Sequence, residues 1–216
     1  MTRIVVINPN SNKAFTDHMD GAVDPLRANG AVQIDCVTLE GTPFGIETQR
    51  DVDSVIDPVC TYIEKEAATC SAFVIACFAD TGVLSAREIT DKPVVGICEA
   101  GITSALNRGE RYGIVSTSTA GRNDELRLVR SLGLEQRLAG TAAINIPVAD
   151  ILTAPQTYYR MLDAARVLRD AGADVLVLGC AGMTPYREKL QLDIGLPIID
   201  PTVAATAVAI GLSAHT

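Results

Sequence analysis

The chain has 216 residues, 48% of them hydrophobic, enough apolar side chains for one large core or two small ones. Its 18 Lys and Arg against 26 Asp and Glu give a formal charge of -8, and no basic run is interleaved with aromatics, so the electrostatic footprint of a nucleic-acid binder is missing. No stretch nears the roughly 18 consecutive apolar residues of a membrane span, and the opening MTRIVVINPN runs straight into a strand, so a cytoplasmic protein with no membrane partner is expected.

In chain order, β-branched runs alternate with longer segments of helical periodicity, the pattern of parallel strands joined by helices. RIVVIN (3–8) predicts a first strand and 12–28 a helix; VQIDCVTL (32–39) predicts a strand and 51–69 a helix, which Pro58 should kink or delay. AFVIAC (72–77), a helix at 82–91, PVVGIC (93–98) and a helix at 99–108 follow. The second half predicts strands at 112–117, 138–146, 174–180 and 197–200, with helices at 121–132, 155–171, 184–192 and 201–213.

The two halves repeat one another. RIVVINPNSN matches RYGIVSTSTAG, AFVIACFADTG matches DVLVLGCAGMT, and KPVVGICEAG matches LPIIDPTVAA. Ile4 and Ile114 are 110 positions apart, Cys77 and Cys180 are 103, and Pro93 and Pro197 are 104. This predicts an α/β fold of two pseudosymmetric Rossmann-like lobes, each a mainly parallel sheet flanked by helices. The lobes would span 1–98 and 99–200, with the 201–216 helix able to pack back on the first. In parallel sheets, ligands bind outside the carboxyl ends of the strands. The repeated turns PNSN, CFADTG, STSTAG and CAGMT all lie there, so the active site is expected in the cleft between the lobes.

The six cysteines are Cys36, Cys60, Cys70, Cys77, Cys98 and Cys180; none are in C-x-x-C spacing, and the only histidines are His18 and the near-terminal His215. Neither a disulfide framework nor a zinc site is expected. Cys36, Cys60, Cys70 and Cys98 read as small core residues. Cys77 and Cys180 read differently, because a packing residue has no need to recur at both equivalent strand ends. At such an end, backbone N–H groups and the helix dipole favour thiolate. Two thiols on facing walls suit inversion of a carbon acid: one takes a proton from one face while the other delivers a proton to the opposite face, with backbone N–H groups steadying the enolate-like oxygen. Asp80, Glu99 and Asp200 lie near strand ends, where each could orient a group in the cleft or cap a helix. No glycine-rich dinucleotide or phosphate loop occurs, and none of the four lysines (Lys13, Lys65, Lys92, Lys189) lies in a repeated strand-end turn, so no cofactor and no metal are expected.

INPNSN (7–12), ACFADTG (76–82) with REI (87–89) and PVVGICEA (93–100), and VLGCAGM (177–183) with PIID (197–200) together resemble the hydantoin racemase branch of the aspartate/glutamate racemase superfamily. The resemblance covers nearly the whole chain. It implies a cofactor-independent isomerase with a two-base mechanism in which Cys77 and Cys180 are the catalytic residues. Carried over by position, Asn8, Pro9 and Ser11 would line the cleft, and Phe44 to Glu47, including Ile46, would form a flap over the substrate. Asp80, Thr81, Thr117, Ser118, Gly182 and Met183 would supply donors or walls. Asn8 and Ser11 could equally cap the first helix, and Met183 could be core. CFADTG departs from the family by lacking a proline after its aspartate. Amino-acid racemases of the superfamily carry threonine soon after each cysteine; CFA and CAG here, with Phe78, favour a neutral ring such as a 5-substituted hydantoin or allantoin. Alternatives are an aspartate/glutamate racemase, a maleate-type isomerase or decarboxylase, and a small-molecule binding protein. A homo-oligomer is expected.

Overall fold

The computed structural model describes residues 2–119 and 122–214, with backbone alone at residues 28, 29, 122 and 123. His215, and the Ala120 and Gly121 of the STSTAG turn, lie outside the described residues. Strands β1 (Thr2–Asn8), β2 (Val32–Thr38), β3 (Ala72–Ile75) and β4 (Val94–Gly96) form a sheet in the order β2-β1-β3-β4. Strands β5 (Tyr112–Ser116), β6 (Leu138–Ala143), β7 (Val175–Leu178) and β8 (Ile198–Ile199) form a second in the matching order β6-β5-β7-β8. All six pairings are parallel. With the flanking helices this is the two-lobed α/β architecture.

Parallel strands covered on both faces are apolar throughout rather than alternating, and β3 and β7 are buried at every position. On the outer face of the first sheet, Val5, Ile7, Phe73 and Ile75 pack with Val59 and Ile63 of α3 (Ile56–Glu66) and Val83 of α4 (Val83–Ile89). On the other face, Ile4, Val6 and Val74 join a core that runs on into Ile114 and Val177 of the second lobe. That shared core includes Phe15 of α1 (Lys13–Ala22), Ile102 of α5 (Ile97–Ala105), and Ala205 and Ala209 of α9 (Pro201–Ser213). Helix α9 has no charged residue; it packs against α5 and across β1, β3 and β4, so the chain's last helix lies on the first sheet.

Of the boundaries that differ from expectation, three have a clear local reason. The 51–69 segment splits into α2 (Gln49–Ser54), opened by a Thr48/Asp51 capping box, and α3, with Pro58 in the first turn of α3, where a missing N–H costs nothing. Strand β4 ends at Gly96, so Cys98 lies inside α5. Strand β6 stops at Ala143, and Asn145, at a φ of 51°, turns the chain before Pro147. The remaining helices are α6 (Arg122–Ser131), α7 (Thr157–Asp170) and α8 (Arg187–Ile194).

The two sheets end alike. Beyond the Ile7–Ile75 pairing, Ala76 N donates to Ile7 O at 2.8 Å; beyond Val115–Leu178, Gly179 N donates to Val115 O at 2.8 Å. Cys77 and Cys180 are each the next residue. At Gly179 a Cβ would lie 2.7 Å from Val115 O, so the strands approach too closely for any side chain, whereas at Gly21 in α1 nothing lies within 4 Å. Gly179→Ala is therefore expected to destabilise by about 1–3 kcal/mol through overpacking, and Gly21→Ala to stabilise by about 0.5 kcal/mol through the unfolded chain. Urea unfolding midpoints should move in opposite directions.

Candidate active site

A cavity of about 190 Å³ lies between the carboxyl ends of the two sheets, and both Cys77 and Cys180 line it. Cys77 opens a turn that Asp80 N closes by donating to Cys77 O at 2.9 Å; Cys180 caps a 3-10 turn over Ala181–Tyr186. Each sulfur has a polar donor nearby. Thr81 Oγ1 lies 3.6 Å from the Cys77 sulfur, and Gly182 N lies 3.4 Å from that of Cys180. Burial nevertheless outweighs them. Desolvation raises the Cys77 thiol against the pull of the Ala79 and Thr81 amides and the Thr81 hydroxyl. It pushes Cys180 up to about 12 against the Gly182 amide, with the charges of Cys77 and Glu47 adding to the rise.

Of the other residues singled out in the sequence, Ile46, Phe78 and Thr117 line the cavity with the cysteines. Asn8 is buried behind it: its Nδ2 donates to Asn12 O at 3.1 Å and to Thr16 Oγ1 at 3.0 Å, while its Oδ1 accepts from Asn10 N at 3.2 Å. Asn8 thereby braces the loop, as does Ser11, whose N donates to Pro43 O, and Asn12 caps α1. Pro9 is buried in the same loop. Phe44 is 56% exposed and lies away from the lining, whereas Asp80 turns inward to the start of α5. Ser118 is half-buried and not among the lining residues, Gly182 packs under the Phe15 ring, and Met183 is fully buried core. Cys36, Cys60, Cys70 and Cys98 are not among the lining residues.

Sequence reading missed Asn10 of the NPN motif and the α6 residues Asp124, Glu125 and Arg127; the two acids complete an acidic wall with Glu47 of the expected flap, and Arg127 is its cation. Arg127 pairs with Asp124, and Ser116 Oγ donates to Glu125 at 2.8 Å. These residues carry no motif, because helix α6 reads in isolation as a solvated charged face. Among the described residues, no group of three or more His, Cys, Asp and Glu side chains is placed to hold a metal ion, and no helix is long and apolar enough to cross a membrane.

The family model described as Asp/Glu/Hydantoin racemase matches residues 4–209. The chain belongs to that family. It is 34% identical over 210 residues to a hydantoin racemase of Pseudomonas sp. (strain NS671), covering 96% of this chain and 84% of that one. With a hydantoin racemase of Paenarthrobacter aurescens it shares 33% over 219 residues, 98% of this chain and 91% of the relative. The structure of an allantoin racemase from Klebsiella pneumoniae superposes with a TM-score of 0.93 at 30% identity, covering 100% of this chain and 89% of that one. These relatives make the chain an isomerase.

In this racemase-family chain the lobes are tied across the cavity mouth. Val148 N, from the second lobe, donates to Glu47 Oε1 at 2.8 Å, and Arg127 Nη2 donates to Gln49 Oε1 at 3.1 Å. Gly45 lets the strap lie close, since a Cβ there would sit 3.2 Å from Ala149 N. A hydrogen bond to a charged acceptor contributes about 1.5 kcal/mol. Glu47→Ala is accordingly expected to speed amide hydrogen exchange at Val148 by about tenfold, while Glu47→Gln, which keeps an acceptor oxygen, should leave most of the protection in place.

Proposed function

We propose that this chain racemises a small neutral cyclic ureide, a 5-substituted hydantoin or allantoin, by two-base proton transfer between Cys77 and Cys180 without a cofactor. The observation that carries the reading is the pair of thiols brought into one small cavity by equivalent strand ends of two lobes. One thiolate removes the proton from the stereocentre and the opposite thiol delivers a proton to the other face; the reverse reaction uses the same pair with roles exchanged. The product of one turnover leaves the protons swapped between the sulfurs, which is a competent state for the mirror-image substrate.

The electrostatics support a ring over a free amino acid. Among the described residues, the charged side chains of the wall are Glu47, Asp124 and Glu125 against Arg127, and Arg127 is already paired with Asp124. A dicarboxylic amino acid would bring its own negative charges against that wall, whereas ring N–H groups can donate to it. A ureide also helps the chemistry, because the anion left by deprotonation spreads onto the flanking carbonyl. The apolar contacts of Phe78 and Ala79 suit the ring face, and a cavity of about 190 Å³ suits a single small ring with a short substituent. The names of the hydantoin and allantoin racemase relatives point to the same class.

Racemisation followed by polarimetry in deuterated water tests the reading. Deuterium should enter the stereocentre as rotation decays, and Cys77→Ser and Cys180→Ser should each slow racemisation by about 100- to 10,000-fold. Wild-type rates in both variants would sink the mechanism.

The working state holds one proton on the sulfur pair, and burial raises both thiols above their ordinary value. Below its pKa the base is protonated, so activity is expected to rise with pH. kcat/KM should climb by about tenfold per unit between roughly pH 6 and 8, and no alkaline fall should appear before the second thiol ionises.

A further inference from the structure

The two lobes cap equivalent helices with a carboxylate, but they take it from opposite sides. Before α9 the cap residue is Asp200, whose Oδ1 accepts from Thr202 N at 2.9 Å and Val203 N at 3.1 Å. Before α5 the cap residue is Gly96, 104 positions earlier, the offset that also separates Pro93 from Pro197. Gly96 has no side chain to offer. Asp80 fills the place: its Oδ1 accepts from Cys98 N at 2.8 Å and its Oδ2 from Glu99 N at 3.0 Å, the same second and third helical amides. A Cβ on Gly96 would lie 2.3 Å from Asp80 Cγ, so the carboxylate occupies the space a side chain there would need.

This exchange ties the cap to one thiol. Asp80 is the third residue after Cys77, it donates its N–H to Cys77 O, and it holds a φ of 47°, which few non-glycine residues adopt. The third residue after Cys180 is Met183, fully buried and apolar. We infer that Asp80 is a positioning residue for Cys77 alone, fastening the Cys77 turn to the start of α5 and setting a carboxylate beside one of the two thiols, so that the two bases are unequal.

The inference rests on the two-thiol reading above. The groups facing Asp80 are Cys77 in its own turn, Cys98 and Glu99 on α5, and Arg87 on α4, which pairs with Glu99 at 3.0 Å. Burial pushes the Asp80 carboxyl up to about 7 despite its two amide donors, and its charge in turn pushes Cys77 up. The second lobe has no such group in the Cys180 turn; the charges acting on Cys180 are those of Cys77 and, from the strap, Glu47.

Asp80→Asn keeps the shape but removes the charge and one of the two acceptors. Iodoacetamide labelling from about pH 6 to 10, quantified separately for the peptides of each cysteine, reads both thiols in one sample. The Cys77 profile is expected to move to lower pH by about half a unit or more, with the Cys180 profile unmoved. kcat for ureide racemisation should fall about tenfold or more, with KM changing less than about threefold. Profiles that stay put or move together, or an unchanged kcat, would overturn the inference. Should Asp80→Asn fail to fold, Gly96→Ala presses on the same carboxylate: it should lower kcat by a similar factor, and wild-type activity in that variant overturns the seating of Asp80. A wild-type enzyme that racemises no ureide, together with a selective Cys77 shift, would discard the substrate reading and keep the role of Asp80. Normal wild-type turnover matched by Asp80→Asn would do the reverse.

Discussion

The arrangement depends on one backbone contact made twice. Ala76 N to Ile7 O and Gly179 N to Val115 O are each the last ladder bond between the two central strands of a parallel sheet, and in each lobe the next residue is a cavity cysteine. Because the strands are buried on both faces, a slip in register would pull Val74, Ile75, Val177 and Leu178 out of the packing they hold in the cores. The sulfurs therefore stand on rigid mounts, and the apolar runs before them serve aim as much as stability. The shared core running from Ile4 to Val177, with α9 laid across the first sheet, keeps the two mounts in fixed relation.

Electrostatics act on those mounts in two opposed ways. Strand-end amides and the Thr81 hydroxyl favour thiolate, as expected at such positions, but desolvation of these half-buried cysteines inside the cavity outweighs them. A buried thiol with a high pKa is a strong base once it is deprotonated, which suits a weakly acidic carbon more than a polarised leaving group. The acidic wall from Glu47, Asp124 and Glu125 works in the same direction by opposing additional negative charge in the cavity. The pseudo-twofold symmetry is broken where charge matters most, since the capping carboxylate belongs to the cysteine turn in one lobe and to the helix start in the other.

The strand positions, their parallel pairing and the equivalence of the two cysteines were legible in the sequence because they rest on local pattern and on repetition. The strand ends were less so. Cys98 reads as the end of a strand, yet it sits in a helix because Asp80, 18 residues earlier, caps that helix through space. Asp80 and Asn8 carry polar groups near the cleft, but their hydrogen bonds turn them inward as braces rather than into the cavity. Glu125 and Arg127 carry no sequence mark because no spacing identifies a residue that a distant helix delivers to a site, whereas Asn10 lies within the marked PNSN turn.

The sequence by itself determined that there are two matching α/β halves and that a cysteine ends the same strand in each, since periodicity and repetition are properties of the chain alone. Only the tertiary structure decided how the halves meet: which wall faces the thiols, how far burial raises them, and how Glu47 bridges to Val148. Those outcomes depend on distances between residues as far apart in the chain as Glu47 and Val148 or Cys77 and Cys180, and on the exclusion of water between lobes, neither of which is encoded in any local stretch.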